Sequence, residues 1–329
     1  MRNKIFIRAD GSSQIGLGHL VRCTALANML KDDFEISFVC KIIPDELVLE
    51  LKSANISINI IVDEDNFLSF LNSNEIAVLD GYNFDMEFQR KIKQKGAKLV
   101  CIDDMNFGEF VADLIISQTP DVKESEYKAQ SYTKFALGLE YALLRSPFLE
   151  NTKSKRSIKK IDTLFLCFGG SDSFNLTLSS LKAVINFPKF KRIIVITGTA
   201  YKYNDELTEI TGSDNRIEHH NNIDANKIVS LMFESDLAIA PSSSIILELF
   251  SVGVPAITGF YVENQKRGSK AISDMGLAIS CGDMSIDYLK KLHVILNNFT
   301  IDAGNQMVNN QKEIKWVGKQ FYRTIFKAL

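Results

Sequence analysis

Short runs that are apolar on nearly every residue, and not merely on alternate ones, recur along the whole chain. Between them lie stretches with the period of an amphipathic helix. In the first half the runs are KIFIRA, EISFVC, INIIVD, IAVLDGY, KLVCIDD and ADLIISQ, separated by patterns such as HLVRCTALANMLK and DMEFQRKIKQKG. In the second half they are DTLFLCFGG, RIIVITG, NRIEHH, DLAIAP, VPAIT and LAISC, with helices such as NLTLSSLKAVINF, DANKIVSLMFES and SSIILELFSVG between them. A strand with no polar face is covered on both sides, which is the condition of a parallel sheet flanked by helices. Strands that alternate with helices over the whole length therefore predict βαβ units. A polar, basic, apolar-poor segment, SPFLENTKSKRSIKK, separates two such series of similar length. It reads as a linker, giving one Rossmann-like domain over 1–152 and another over 160–329. The fold class is α/β: two doubly wound domains with a cleft between them. The stretch from Gly304 to Leu329 is helical in character and carries the single tryptophan, Trp316, which reads as a packing residue.

A chain of 329 residues with 46% hydrophobic residues can bury two moderate cores. Its formal net charge of -2 gives no electrostatic reason to expect nucleic acid or a membrane surface as partner. Cys23, Cys40, Cys101, Cys167 and Cys281 are dispersed without C-x-x-C spacing, which predicts reduced thiols and a cytoplasmic location. The opening MRNKIFIRAD is too short and too charged for a signal peptide, and no apolar stretch is long enough to span a bilayer.

In open α/β sheets, ligands bind beyond the carboxyl ends of the strands, where loops enter helix N-termini. Three such loops stand out. The first is RADGSSQIGLGHLVRC, in which Gly11, Gly16 and Gly18 let backbone approach a ligand. His19 sits at the start of the following helix, where the positive end of the dipole favours the uncharged imidazole. It is a candidate general base, against the alternative that it caps the helix or packs on the loop. The spacing is not that of a dinucleotide fingerprint. The second loop, CFGGSDSFNLT, brings Gly170, Ser171 and Asp172 to a helix start, either for a ligand or as an ordinary capped turn. The third, IAPSSSIILELF, opens a helix with Ser242, Ser243 and Ser244, whose hydroxyls and N–H groups suit a diphosphate. Glu248 lies one to two turns inside that helix among Leu247, Leu249 and Phe250. It is either a surface acid or a carboxylate for two vicinal hydroxyls.

Two strand ends carry further polar groups: Asp80 and Tyr82 in LDGYNF, and Asp103 and Asp104 in CIDDMN. Paired carboxylates can bind a metal or serve acid–base work, but no matching ligands lie near them in sequence, so no metal is expected. His219 and His220 end a strand and could line a base pocket or be plain polar residues.

Taken in order, RADGSSQIGLGHLVRC, LDGYNF, IDDMN, ADLIISQ, LGLEYALLRSPF, FGGSD, HHNNIDANKIVSLM, SSSIILELF and ENQ resemble the UDP-sugar hydrolases of pseudaminic acid biosynthesis, a family that includes proteins labelled as spore-coat-polysaccharide type. The likeness runs from the N-terminus to about Gly282. It implies a GT-B fold and metal-independent, inverting hydrolysis without a cofactor, in which water attacks the anomeric carbon of a small-molecule UDP-sugar. Carried onto this chain, His19 activates or positions the water, with Tyr82 beside it and Asp10 and Ser13 nearby. Ser243 and Ser244 meet the diphosphate, Glu248 the ribose, the loop from His220 to Ile223 the uracil, and Asn264 and Gln265 the sugar. Pro241 stands where many members carry a glycine-rich stretch, and it removes one N–H donor. Gly81, between Asp80 and Tyr82, lacks a side chain sometimes found there.

Two other readings use the same residues. A GT-B glycosyltransferase would have His19 deprotonate an acceptor hydroxyl, and on a lipid acceptor it should carry a membrane patch that the sequence does not display. A non-catalytic nucleotide-sugar binding protein would be indifferent to loss of His19. An epimerase would need acid–base carboxylates that are not matched. Neither the sugar's stereochemistry nor the oligomeric state is written in the spacing.

Overall fold

The computed structural model describes residues 3–12, 16–152 and 156–329. These form two compact units, Met1–Ser146 with Trp316–Leu329, and Pro147–Lys315.

The first unit is built on β1 (Lys4–Ala9), β2 (Glu35–Cys40), β3 (Ser57–Ile60), β4 (Ile76–Asp80), β5 (Lys98–Ile102), β6 (Glu109–Phe110), β7 (Leu114–Ser117), β8 (Lys128–Ala129) and β9 (Lys134–Leu137). Seven of these strands form one sheet in the order β3-β2-β1-β4-β5-β7-β9, while β6 and β8 pair separately. Every pairing in the large sheet is parallel. The strands expected from the apolar runs are all present, and β4 is buried along its whole length, as a strand covered on both faces must be. The missed strands are of another kind. The edge strand β9 buries only Ala136, and β6 and β8 are two residues each, so no unbroken apolar run marks them.

The second unit repeats the plan with β10 (Thr163–Cys167), β11 (Arg192–Thr197), β12 (Ile217–Asn221), β13 (Leu237–Ile239), β14 (Ala256–Phe260) and β15 (Ile279–Asp283), ordered β12-β11-β10-β13-β14-β15 and all parallel. In each unit the chain winds outward from a central strand in one direction, then returns and winds in the other. That reversal falls between β1 and β4 in the first sheet and between β10 and β13 in the second. The register Ala9↔Asp80 brings the ends of β1 and β4 level, so the loops after both strands open at one place.

One expected boundary differs. The sequence reading gave all of 160–329 to the second domain, whereas Trp316–Leu329 pack with the first unit. The helix Ile301–Lys312 ends six residues before Gly318, which adopts a left-handed backbone (φ 66°) and starts a separate helix, Gly318–Lys327. That helix lies against the helix Gly18–Leu30. It buries Tyr322 and Phe326, the latter with its ring 6.4 Å from Phe34. Tyr322 donates to the carbonyl of Tyr141, Val317 N–H donates to Glu140 O, and Arg323 and Lys327 pair with Asp33. The apolar pair sets the return, since burial of two aromatic rings outweighs ion pairs at the solvent boundary.

All five cysteines are buried thiols without disulfides. No helix among the described residues is long and apolar enough to cross a membrane.

The return helix gives a first prediction. Phe326→Ala should destabilise the first unit by about 3–5 kcal/mol, as a buried aromatic truncation does. Lys319→Ala, which breaks an exposed pair with Asp32, should cost at most about 1 kcal/mol. Urea denaturation followed by fluorescence separates the two, and equal losses would place the docking energy in the charges.

Candidate active site

The reversal point of the first sheet gathers the chemistry. His19 is the second residue of the helix Gly18–Leu30, whose N-cap, Leu17, makes no side-chain capping bond. The loop before it starts at Asp10 and is braced from below. Arg8, almost fully buried, is held by both carboxylate oxygens of Glu64 at 2.9 Å and donates to Asp10 Oδ2 at 2.7 Å. The other Asp10 oxygen accepts from the N–H groups of Lys41 (2.6 Å) and Ile42 (3.1 Å). Asp10, expected near substrate, thus has both oxygens engaged in fixing the loop. Gly16 takes a left-handed backbone (φ 89°), which a side chain would strain. Ser13, the other expected contact in this loop, lies outside the described residues.

His19 is buried, and its Nδ1 is 2.6 Å from Asp80 Oδ1. Asp80 is the last residue of β4 and is itself 1% exposed. Arg22, one helical turn beyond His19, grips the same carboxylate with two bonds: Nε to Oδ2 at 2.7 Å and Nη2 to Oδ1 at 2.6 Å. Burial opposes charge on Asp80, but Arg22 and then His19 outweigh it and hold the carboxyl well below the usual carboxylate range. An ionised Asp80 can only accept, so the proton between it and His19 sits on Nδ1. With that proton on Nδ1, the uncharged form of the ring presents Nε2 as an acceptor. The Arg22 Nη2 found 3.1 Å from Nδ1 is a second donor to the same Asp80 oxygen, not a donor to the ring.

Arg22 extends the network to a second carboxylate, donating from Nη1 to Asp104 Oδ2 at 2.9 Å. Asp104 follows β5, the neighbour of β4. The same oxygen accepts from Tyr82 OH at 3.2 Å. The exposed Tyr82 ring meets His19 edge-on, with centroids 5.1 Å apart and planes at 76°. The structure therefore brings together His19 and Tyr82, both expected from sequence, and adds Asp80, Arg22 and Asp104 in roles the sequence reading missed. The sequence offers Asp80, Asp103 and Asp104 at two strand ends for metal binding or acid–base work, with no metal expected; in the structure Asp80 and Asp104 share one partner, a buried guanidinium. The available signal was the i, i+3 spacing of His19 and Arg22, which puts both on one helix face. Among the described residues no three His, Cys, Asp or Glu side chains converge as a metal centre requires.

At the reversal point of the second sheet, the helix Ser244–Val252 begins after N-cap Ser243, again with no side-chain cap on its first turn. Ser242 N–H is tied to Gly259 O at 2.8 Å, which fixes the approach to that turn. Glu248, four residues beyond Ser244, is 4% exposed, so it is no surface acid. The loop after β10 is a capped turn: both oxygens of buried Asp172 accept N–H bonds, from Leu176 (2.9 Å) and Thr177 (2.7 Å). Burial raises the pKa of Asp172. Gly170 lies so close to Gly198 that a Cβ on the latter would sit 2.6 Å from the Gly170 backbone, while Ser171 is half-buried. On β12, His219 Nε2 is 2.8 Å from Thr197 Oγ1, and burial lowers its pKa. His220 is half-buried, with Nε2 3.8 Å from Glu218, and Ile223 follows in the next loop, also half-buried. In the helix Glu263–Asp274, Gln265 is buried and its Oε1 accepts from Tyr261 N–H at 3.3 Å, while Asn264 beside it is half-buried.

Comparison with known proteins gives the family and the fold. The UDP-2,4-diacetamido-2,4,6-trideoxy-β-L-altropyranose hydrolase of Campylobacter jejuni is 30% identical over 290 residues, which are 84% of this chain and 98% of that one. The chain belongs to that hydrolase family. An uncharacterised protein of Methanocaldococcus jannaschii is 25% identical over 91% of this chain, which spans 62% of that relative's length. No family model matches. Among solved structures, Acinetobacter baumannii MurG superposes with a TM-score of 0.68 at 13% identity, covering 99% of this chain and 100% of that one. A UDP co-structure of S. aureus MnaA superposes at 0.62 with 13% identity, over 99% and 95%. The fold is GT-B, as the family implies.

The Asp80 network gives a pH prediction. A carboxyl whose folded pKa lies below its unfolded value of about 3.9 contributes stability above that value, and the contribution is lost as pH falls through the folded pKa. Asp80→Asn should therefore destabilise the first unit by about 3–5 kcal/mol at neutral pH, by stripping a buried guanidinium of its main partner. It should also flatten the fall in stability below about pH 4. Urea melts of both proteins between neutral and acid pH check this, and parallel curves would refute the assignment.

Proposed function

We propose that the protein hydrolyses UDP-2,4-diacetamido-2,4,6-trideoxy-β-L-altropyranose, or a close relative, to the free sugar and UDP, in a nonulosonic acid pathway of the cytoplasm. The observation that carries this is the buried Asp80–His19 pair, in a chain that shares its family with a hydrolase of that name. With Nδ1 donating to Asp80, the ring offers Nε2 to a water molecule. The water oxygen forms a bond to the anomeric carbon from the face opposite the nucleotide, and the bond from that carbon to the diphosphate oxygen breaks. Its electron pair leaves with UDP, so the configuration inverts. One water proton passes to Nε2 and the other stays on the new sugar hydroxyl.

The second unit takes the nucleotide. The uncapped first turn at Ser243 and Ser244 suits the growing charge on the diphosphate without a metal. Buried Glu248 accepts from the ribose hydroxyls, and His220 and Ile223 line the uracil. Asn264 and Gln265 face the sugar. Gly170 and Ser171 let the nucleotide approach the turn that Asp172 holds in shape.

Hydrolysis in ¹⁸O-water with mass spectrometry of both products tests the reading. Label should appear on the sugar alone, and His19→Ala should lose about 100- to 10,000-fold in kcat, the usual worth of a general base. Label on UDP would mean attack at phosphorus. UDP release only on addition of a hydroxyl acceptor would make the protein a transferase.

A further inference from the structure

The proton of Tyr82 has a fixed destination. Its phenol donates to Asp104 Oδ2, an oxygen that Arg22 also holds at 2.9 Å. A phenol carries one proton, so towards any other partner the Tyr82 oxygen can only accept. His19 is in the same condition, because its Nδ1 proton is committed to Asp80 and Nε2 is left as an acceptor. One guanidinium underlies both commitments, since Arg22 binds Asp80 and Asp104 together. The two rings touch, and Tyr82 is 56% exposed. Two acceptors therefore belong to adjoining rings at the place where, on the hydrolase reading above, the nucleophile sits.

The geometry points to Asp104 and Arg22 as positioning residues that, through Tyr82 and His19, make the nucleophile site a two-acceptor site selecting water over an alcohol. Water has two O–H groups and satisfies both acceptors, which turns a lone pair towards the anomeric carbon. An alcohol has one O–H and leaves one acceptor unpaired. In the step itself the hydrogen on His19 transfers to Nε2, while the one on Tyr82 remains with the sugar hydroxyl, so Tyr82 gains and loses nothing. This inference deepens the hydrolase reading and rests on it, and it gives a reason, internal to the fold, for hydrolysis in place of transfer.

The test is the product ratio in water–methanol mixtures, read by mass spectrometry as methyl glycoside over free sugar. The ratio is independent of how fast either forms, so a merely structural loss of rate does not move it. The wild-type enzyme should give less methyl glycoside than the solvent composition. Tyr82→Phe, at an exposed position, should raise the ratio roughly tenfold, and Asp104→Leu should raise it similarly. Asp104→Asn should stay near wild type. Its amide oxygen can replace Oδ2 while the nitrogen takes the place of Oδ1, which has no hydrogen-bond partner. If the Tyr82→Phe ratio matches wild type, the inference is overturned. If Asp104→Asn shifts as far as Asp104→Leu, charge and not the accepting oxygen is responsible, and the inference is again overturned. Those outcomes arise in an enzyme that hydrolyses. A wild-type protein that releases no UDP in water fails the hydrolase reading first, and the inference with it.

Discussion

The cluster of His19, Arg22, Tyr82 and Asp104 at the carboxyl end of the first sheet is organised by one buried carboxylate. Asp80 ends a fully buried strand and accepts from both Arg22 and His19, with Cys23 Sγ a third donor at 3.3 Å. An ionised group in that position is tolerated only because its oxygens are fully bonded and a guanidinium neutralises it. The arrangement needs strand and helix at once: Asp80 comes from β4, and its partners come from two successive turns of the helix after β1. The register Ala9↔Asp80 makes them meet. A shift of β4 by one residue would turn Asp80 to the other face of the sheet and leave Arg22 buried without its partner.

The same economy explains why the candidate residues collect at the reversal points. At β1/β4 and β10/β13 the helices that follow neighbouring strands depart to opposite faces of the sheet, and the strand ends lie uncovered between them. Both units use a helix whose first turn lacks a side-chain cap at that point. They differ in what stands behind it. The first unit has an imidazole fixed by a carboxylate, and the second has Ser243 and Ser244 with Glu248 one turn behind Ser244, buried. On the proposed function, a general base and a nucleotide site are thus different fittings on one repeated frame.

How much of this was legible follows from which forces leave a local trace. Strands covered on both faces must be apolar throughout, so β1, β4, β10 and β13 could be read directly, whereas half-exposed β9 could not. His19 was legible because glycines and a helix start surround it. Arg22 was not, because an arginine in an amphipathic pattern looks like a surface residue. Its burial depends on two carboxylates 58 and 82 residues away. Asp172 could be read either way, and its backbone bonds settle it as a cap of its own loop. The return of Gly318–Lys327 to the first unit is long-range in the same sense: Tyr322 and Phe326 mark a helix with a buried face, but nothing local says which unit buries it.

The cost of the network is itself informative. A buried ion pair is weak evidence for stability, because apolar side chains of similar volume often serve a core as well or better. Here Arg22, Asp80 and Asp104 place one positive and two negative charges beneath buried His19 and the exposed ring of Tyr82. A lysine could not replace the arginine. Arg22 holds two oxygens of Asp80 and one of Asp104 from three different nitrogens, and an ammonium cannot span that fork. What this geometry supplies, and an apolar core could not, is a fixed direction for two protons. On the proposed function, the ring edge at His19 and the phenol oxygen of Tyr82 are thereby set as acceptors before any substrate arrives, the kind of preorganisation that costs stability in the resting protein and returns it at the reacting atom.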